Sequence, residues 1–209
     1  ICSTLALRGL ALVWLSGMTI CLVCSEMARA ESPYWDEYFW TFEVQDDSDV
    51  AVTALIVIHP GTGTWSYYRF NFRYMSVDNL TAHDEASGDT LRLDVLKSGT
   101  WTNCTVYFLK SQGEGYKFRI GFRVIGRVRK TSWQEFTLSW GWGGGSKQMP
   151  QVVRILLPEK YDIRSVQSDN KNLEYTKSVD RGRIAVEFQG TAPALGYFSW
   201  TIKAQYVIG

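Results

Sequence analysis

The sequence predicts an all-β fold: two tandem immunoglobulin-like β-sandwich units packed together, preceded by a hydrophobic signal helix. Three observations carry this reading. Apolar and polar residues alternate with a period of two almost everywhere after residue 31. Short apolar runs are punctuated by Gly and Asn/Asp turns, and no stretch of helical length shows a 3.6-residue period. A strand pattern also recurs at an offset of about eighty residues.

The first thirty residues differ from the rest. Arg8 is followed by Gly9 to Cys24 without a charge, and Ala28-Arg29-Ala30 gives a small-residue cut site. A basic start, an apolar stretch and an A-x-A step are the parts of a secretory signal peptide. A retained anchor is the alternative, but this run falls short of the roughly 20 apolar residues a spanning helix needs. Val23 before Cys24 argues against a lipoprotein site. Residues 1–30 are therefore expected to be a signal peptide or N-terminal anchor, and the remainder extracytoplasmic. Membrane association would come through this segment or through a C-terminal anchor beyond Gly209.

Strands follow in order. Tyr38, Trp40, Phe42 and Val44 share one side of the first, and Asp46-Asp47-Ser48-Asp49 turns the chain. Val50–Ile58 is apolar enough for burial on both faces. Tyr68, Phe70, Phe72 and Tyr74 line one face of the next strand, with Arg69, Asn71 and Arg73 on the other. Leu91, Leu93 and Val95 mark another, then Cys104, Val106 and Phe108. After Gly113-Glu114-Gly115 come Tyr116, Phe118, Ile120, Phe122 and Val124. The pattern around Gly115–Gly126 returns at Gly196–Gly209, and Cys104, Val106 and Phe108 correspond to Ile184, Val186 and Phe188. These matches divide the chain into units 31–126 and 127–209. The alternative is one large sandwich in which two strands share an edge pattern. No Pro/Ser-rich linker separates the halves, so they should pack against each other.

Leu156-Leu157-Pro158-Glu159-Lys160-Tyr161, then Ala185-Val186-Glu187-Phe188, then a Gly-Tyr-Phe strand together resemble extracytoplasmic β-sandwich ectodomains of prokaryotic membrane-anchored proteins. The rhythm is also similar to the N-terminal β-domain of zinc aminopeptidases. The likeness covers most of residues 36–209 as pattern, without invariant motif. It implies architecture and location, not activity, since there is no H-E-x-x-H.

Composition narrows the chemistry. With 209 residues, 45% of them hydrophobic and 21% charged, the chain is neither disordered nor polytopic. A net charge of +1 leaves no basic surplus for nucleic acid. Cys2, Cys21 and Cys24 lie in the signal segment, so Cys104 is the one cysteine of the mature chain, read as a small core residue. A nucleophile partnered by His83 and Asp84 is the sharper alternative. His83-Asp84-Glu85 as a metal loop yields to an ordinary polar turn, because two histidines without a Cys pair are a poor ligand supply, and Asp46, Asp47 and Asp49 as a calcium loop yield to a hairpin turn, because the required Gly and closing Glu are absent. Gly141-Trp142-Gly143-Gly144-Gly145-Ser146-Lys147 lacks the residues of a phosphate loop. No metal or cofactor is expected.

Aromatics are the remaining signal. Trp140 and Trp142 flank the glycine run and Trp101 sits at a Gly-Thr turn; these three are the candidate contact residues, with burial between the units as the alternative. Asn79 and Asn103 head N-x-T sequons and are candidate glycosylation sites. The expected function is that of a non-catalytic extracytoplasmic protein acting by surface contacts with protein or cell envelope. A carbohydrate-binding module using exposed tryptophans is the alternative. A hydrolase with a tertiary carboxylate pair is a third reading.

Overall fold

The structure, a computed structural model, describes residues 36–45, 48–59, 63–132, 134–143 and 148–207. The signal segment expected over 1–30 lies outside the described residues, as do Asp46 and Asp47. The described residues form strands without a helix. The first half holds β1 (Asp36–Val44), β2 (Val50–Ile58), β3 (Trp65–Arg73), β4 (Val77–Asp84), β5 (Arg92–Ser98), β6 (Trp101–Gln112) and β7 (Tyr116–Val124). The second holds β8 (Arg129–Lys130), β9 (Glu135–Gly143), β10 (Met149–Leu156), β11 (Tyr161–Ser168), β12 (Lys171–Asn172), β13 (Thr176–Asp180), β14 (Arg183–Ala192) and β15 (Tyr197–Tyr206).

Alternation sets these strands. In β1, Tyr38, Trp40, Phe42 and Val44 are buried while Glu37, Phe39, Thr41 and Glu43 stay partly or fully accessible. The same parity governs β3, β6, β7 and β9. Turns are made by residues suited to them. Gly115, at φ 74°, closes the turn from β6 into β7. The Asp84 carboxylate accepts the Ala86 and Ser87 amide hydrogens, each at 2.9 Å, to hold the turn after β4.

One order of pairing occurs twice. In the first half β7 lies between β2 and β4, and β6 lies between β3 and β5. In the second half β15 lies between β9 and β11, and β14 lies between β10 and β13. The strands that matched in sequence, β6 with β14 and β7 with β15, occupy equivalent places. The halves are joined edge to edge: β1 pairs in parallel with β10, Tyr38 opposite Gln151 and Phe42 opposite Ile155. This fuses β1, β2, β7 and β4 with β10, β14 and β13 into one seven-stranded sheet, against which a three-stranded and a five-stranded sheet pack. Arg183 at the start of β14 secures the joint. It pairs with Glu43 and donates to the carbonyls of Val44, at 3.0 Å, and Leu157, at 2.7 Å.

A single core cluster runs through both halves. Phe72 meets Phe122 and Phe108 meets Phe118 in the first, and Phe188 meets Trp200 in the second. Beneath the first half's three-stranded sheet, the Tyr38 and Tyr68 hydroxyls bond to each other, and Tyr68 donates to the nearly buried Asp36 at 2.9 Å. That chain satisfies the polar atoms burial would otherwise leave costly.

Candidate functional site

Trp140 and Trp142 do not form a contact surface. They are 2% and 8% exposed and lie where the two halves meet. Both point to one side of β9, as their spacing requires, and that side faces β1. The Trp142 ring lies 4.9 Å from Trp40 and the Trp140 ring 5.0 Å from Phe42, both edge to face. Phe122 and Phe72 close the cluster from the first half. The apolar side of an isolated strand tells which residues go together; here the facing sheet turns that side inward.

Trp101 is different. It is 37% exposed and begins β6 on the outer side of the three-stranded sheet. Register assembles a face around it. Ser98, Trp101 and Arg73 lie abreast, then Leu96, Asn103 and Asn71, then Asp94, Thr105 and Arg69, then Arg92, Tyr107 and Tyr67. The opposite parity, Phe70, Phe72, Cys104 and Val106, fills the core. Sequence reasoning placed Arg69, Asn71 and Arg73 on one side. It missed Tyr67 and Tyr107, whose parity opposite the buried Tyr68 and Val106 was the available signal.

On this face guanidinium groups lie over rings. Arg69 sits 4.8 Å from the Tyr67 centroid, Arg92 4.6 Å from Tyr107, and Arg73 4.8 Å from Tyr74 and 4.9 Å from Trp101. Tyr67 and Tyr107 are neighbours at 6.4 Å. Arg92 is held by both oxygens of Asp94, at 3.2 and 2.9 Å, and that bond holds the Asp94 carboxyl below its ordinary value. Among the described residues no ion pair engages Arg69 or Arg73.

The other candidates resolve into structure. Cys104 is buried, and desolvation pushes its thiol up to about 11, which makes it a poor nucleophile. Asp84 is held by its own turn and by the Tyr116 hydroxyl at 2.8 Å; the Ser87 amide bond, foremost, lowers its pKa. Glu85 is bound by Arg119 and lowered by it. Asp49 accepts the Gly126 amide at 2.7 Å and pairs with Arg123, lowered chiefly by the former. His59 pairs with Glu114 and lies 3.4 Å from Glu37. Among the described residues, no three His, Cys, Asp or Glu side chains are grouped to hold a metal ion. Asn79 is exposed at φ 52° where β4 shifts register, and Asn103 is exposed mid-strand on the arginine-bearing face.

No family model and no curated protein matches the chain. Solved structures do. The native leukotriene A4 hydrolase of Saccharomyces cerevisiae is similar over 83% of this chain, at TM-score 0.51 and 10% identity, the match taking in 30% of that chain. An M1 zinc metallopeptidase of Deinococcus radiodurans is similar over 81% of this chain, at TM-score 0.46 and 9% identity, the match taking in 41% of that chain. This chain thus spans less than half the length of either. At such identity the likeness to the hydrolase is one of fold, and it agrees with the zinc-aminopeptidase rhythm read from the sequence.

Proposed function

We propose that this chain is a non-catalytic extracytoplasmic protein of two fused immunoglobulin-like units, 31–126 and 127–209, that acts by contact with the cell envelope. The outer face of β3, β6 and β5 is the contact surface. The observation that carries this is the ladder of Tyr67, Trp101 and Tyr107 interleaved with Arg69, Arg73 and Arg92 on an uncovered sheet face. Trp, Tyr and Arg are the side chains that most often carry the energy of a contact surface. The basic, apolar and A-x-A segments ahead of residue 31 support export.

Co-sedimentation of the full chain with isolated cell envelopes tests the reading. Binding should be saturable and should fall severalfold in the triple variant Tyr67→Ser/Trp101→Ser/Tyr107→Ser, with its thermal midpoint unmoved. Equal binding by the variant, or none by the wild type, would sink it.

A further inference from the structure

The ladder's geometry specifies a ligand class, and this inference rests on the contact face just described. A neutral sugar binds an aromatic platform by stacking on open ring faces. Here guanidinium groups already lie over Tyr67 and Tyr107, and Arg73 lies over both Tyr74 and Trp101. These contacts occupy ring faces a neutral sugar would need. A guanidinium over a ring still has N–H groups to offer an oxyanion.

Charge and shape narrow the class further. The face carries Arg69, Arg73 and Arg92 against Asp94, and Asp94 is taken by Arg92. Arg69 and Arg73 have no ion pair among the described residues, one Arg73 N–H going to the Tyr74 hydroxyl at 3.3 Å; they lie four residues apart on one strand, about 13 Å at strand spacing. Asn71 lies between them and faces Asn103, so amides that can bind hydroxyl groups separate the two cationic points. The face is three strands wide and follows β6 from Trp101 to Tyr107, about 20 Å at the same spacing. A narrow open strip with spaced cations and intervening amides matches a linear polymer bearing both anions and hydroxyls. Two arginines without an ion pair among the described residues are too sparse for a nucleic-acid footprint.

The molecule supplies an internal control. β10, β14 and β13 are the topological equivalents of β3, β6 and β5. Their corresponding face presents Val152, Arg154, Glu187, Gln189, Thr176 and Ser178. It has no aromatic residue, and Arg154 is neutralised by Asp180 at 2.9 Å. The same scaffold thus occurs without the ladder, so sheet architecture does not require it.

We propose that the outer face of β3, β6 and β5 binds a linear anionic polysaccharide, with Arg69 and Arg73 as the groups that engage its carboxylate or sulfate oxygens.

Calorimetric titration of the full chain tests this with four soluble probes: polygalacturonate, dextran sulfate, neutral dextran and poly-glutamate. Binding is expected to polygalacturonate, dextran sulfate or both, weakening as salt is raised, and weak or absent for dextran and poly-glutamate. Preference between the first two identifies carboxylate or sulfate as the anion read. Arg69→Gln/Arg73→Gln should weaken that binding about tenfold or more, as expected for lost charge-assisted hydrogen bonds. Arg154→Gln, on the equivalent face, should leave it unchanged. Equal binding of dextran, equal binding of poly-glutamate, or an unaffected double variant each overturns the inference. So does failure of both anionic glycans. Should envelope binding still depend on the ladder rings in that case, the contact face stands and only the ligand class fails.

Discussion

The two three-stranded sets, β3–β6–β5 and β10–β14–β13, share an order of pairing and part company in what surrounds them. In the second, β10 is paired laterally by β1. Its outer face is ordinary: an ion pair, threonines, small apolar residues. In the first, β3 and β5 are both edges, and the outer face concentrates aromatic and arginine side chains. One order of pairing thus occurs twice, and the set left outside the fused sheet is the one with the aromatic and arginine face. Trp140 and Trp142 add a second contrast. They lie on β9, the equivalent of β2, and serve the joint between halves, whereas Trp101 serves the surface. Residue type alone would have grouped them.

The largest effect should come from breaking that joint. Trp140→Ala is expected to cost about 3–5 kcal/mol, as for other buried aromatic truncations, read as a lowered urea midpoint. Trp101→Ala should stay within about 0.5–1 kcal/mol, as surface changes do. Trp140→Phe should cost much less than the alanine change, because the Trp140 indole N–H is buried with no hydrogen-bond partner among the described residues and its loss forfeits no bond. Comparable costs at Trp140 and Trp101 would dissolve the distinction between joint and surface.

Acid should act next, on two carboxylate-held turns of the first half. Asp49 and Asp84 are lowered from 3.8 in the folded chain. A lowered carboxyl contributes stability that is full above its unfolded value and disappears as pH falls through its folded one. The thermal midpoint should therefore be insensitive to these groups between pH 5 and 7, on the order of one unit and more above that value, and fall as pH drops below 3.8. Asp84→Asn should flatten that fall, while a midpoint with the same acid dependence in the variant would remove Asp84 from the account.

The smallest change in stability should accompany a measurable change in binding. Asp94→Asn releases Arg92 from its carboxylate partner on an exposed strand, so the thermal midpoint should barely move. Affinity for an anionic glycan should rise severalfold in calorimetry. A fall would mean that Asp94 positions Arg92 for the ligand instead of competing with it.

Much of the fold could be read from the chain because half-buried strands alternate. Tyr38 to Val44, Phe70 and Phe72, Cys104 to Phe108 and Phe118 to Val124 all follow their parity. β4 was obscured by its own irregularity: Asn79 takes φ 52° and the register against β7 shifts between Asp78 and Thr81. β13 reads as polar loop because its residues are largely exposed. For the site, parity put Arg69 and Arg73 on one side but could not bring Trp101 beside them, which depends on the pairing of β3 with β6. The inward turn of Trp140 and Trp142 was equally out of reach, being decided by β1, about a hundred residues earlier in the chain.

The parallel pairing of β1 with β10 bears on the order in which the chain assembles. β2 can return on β1 through a short turn, but the opposite edge of β1 waits for a strand roughly 110 residues further on. Contacts of such sequence separation form late, because the loop they close must lose its freedom before any packing repays it. During synthesis β1 therefore emerges well before β10, and its second edge is completed only when β10 arrives. Throughout that interval it presents a bare backbone edge, flanked by Tyr38, Trp40 and Phe42, to any other extended chain nearby. Closure of this edge by residues 149–156 takes this aromatic strand out of reach of other chains.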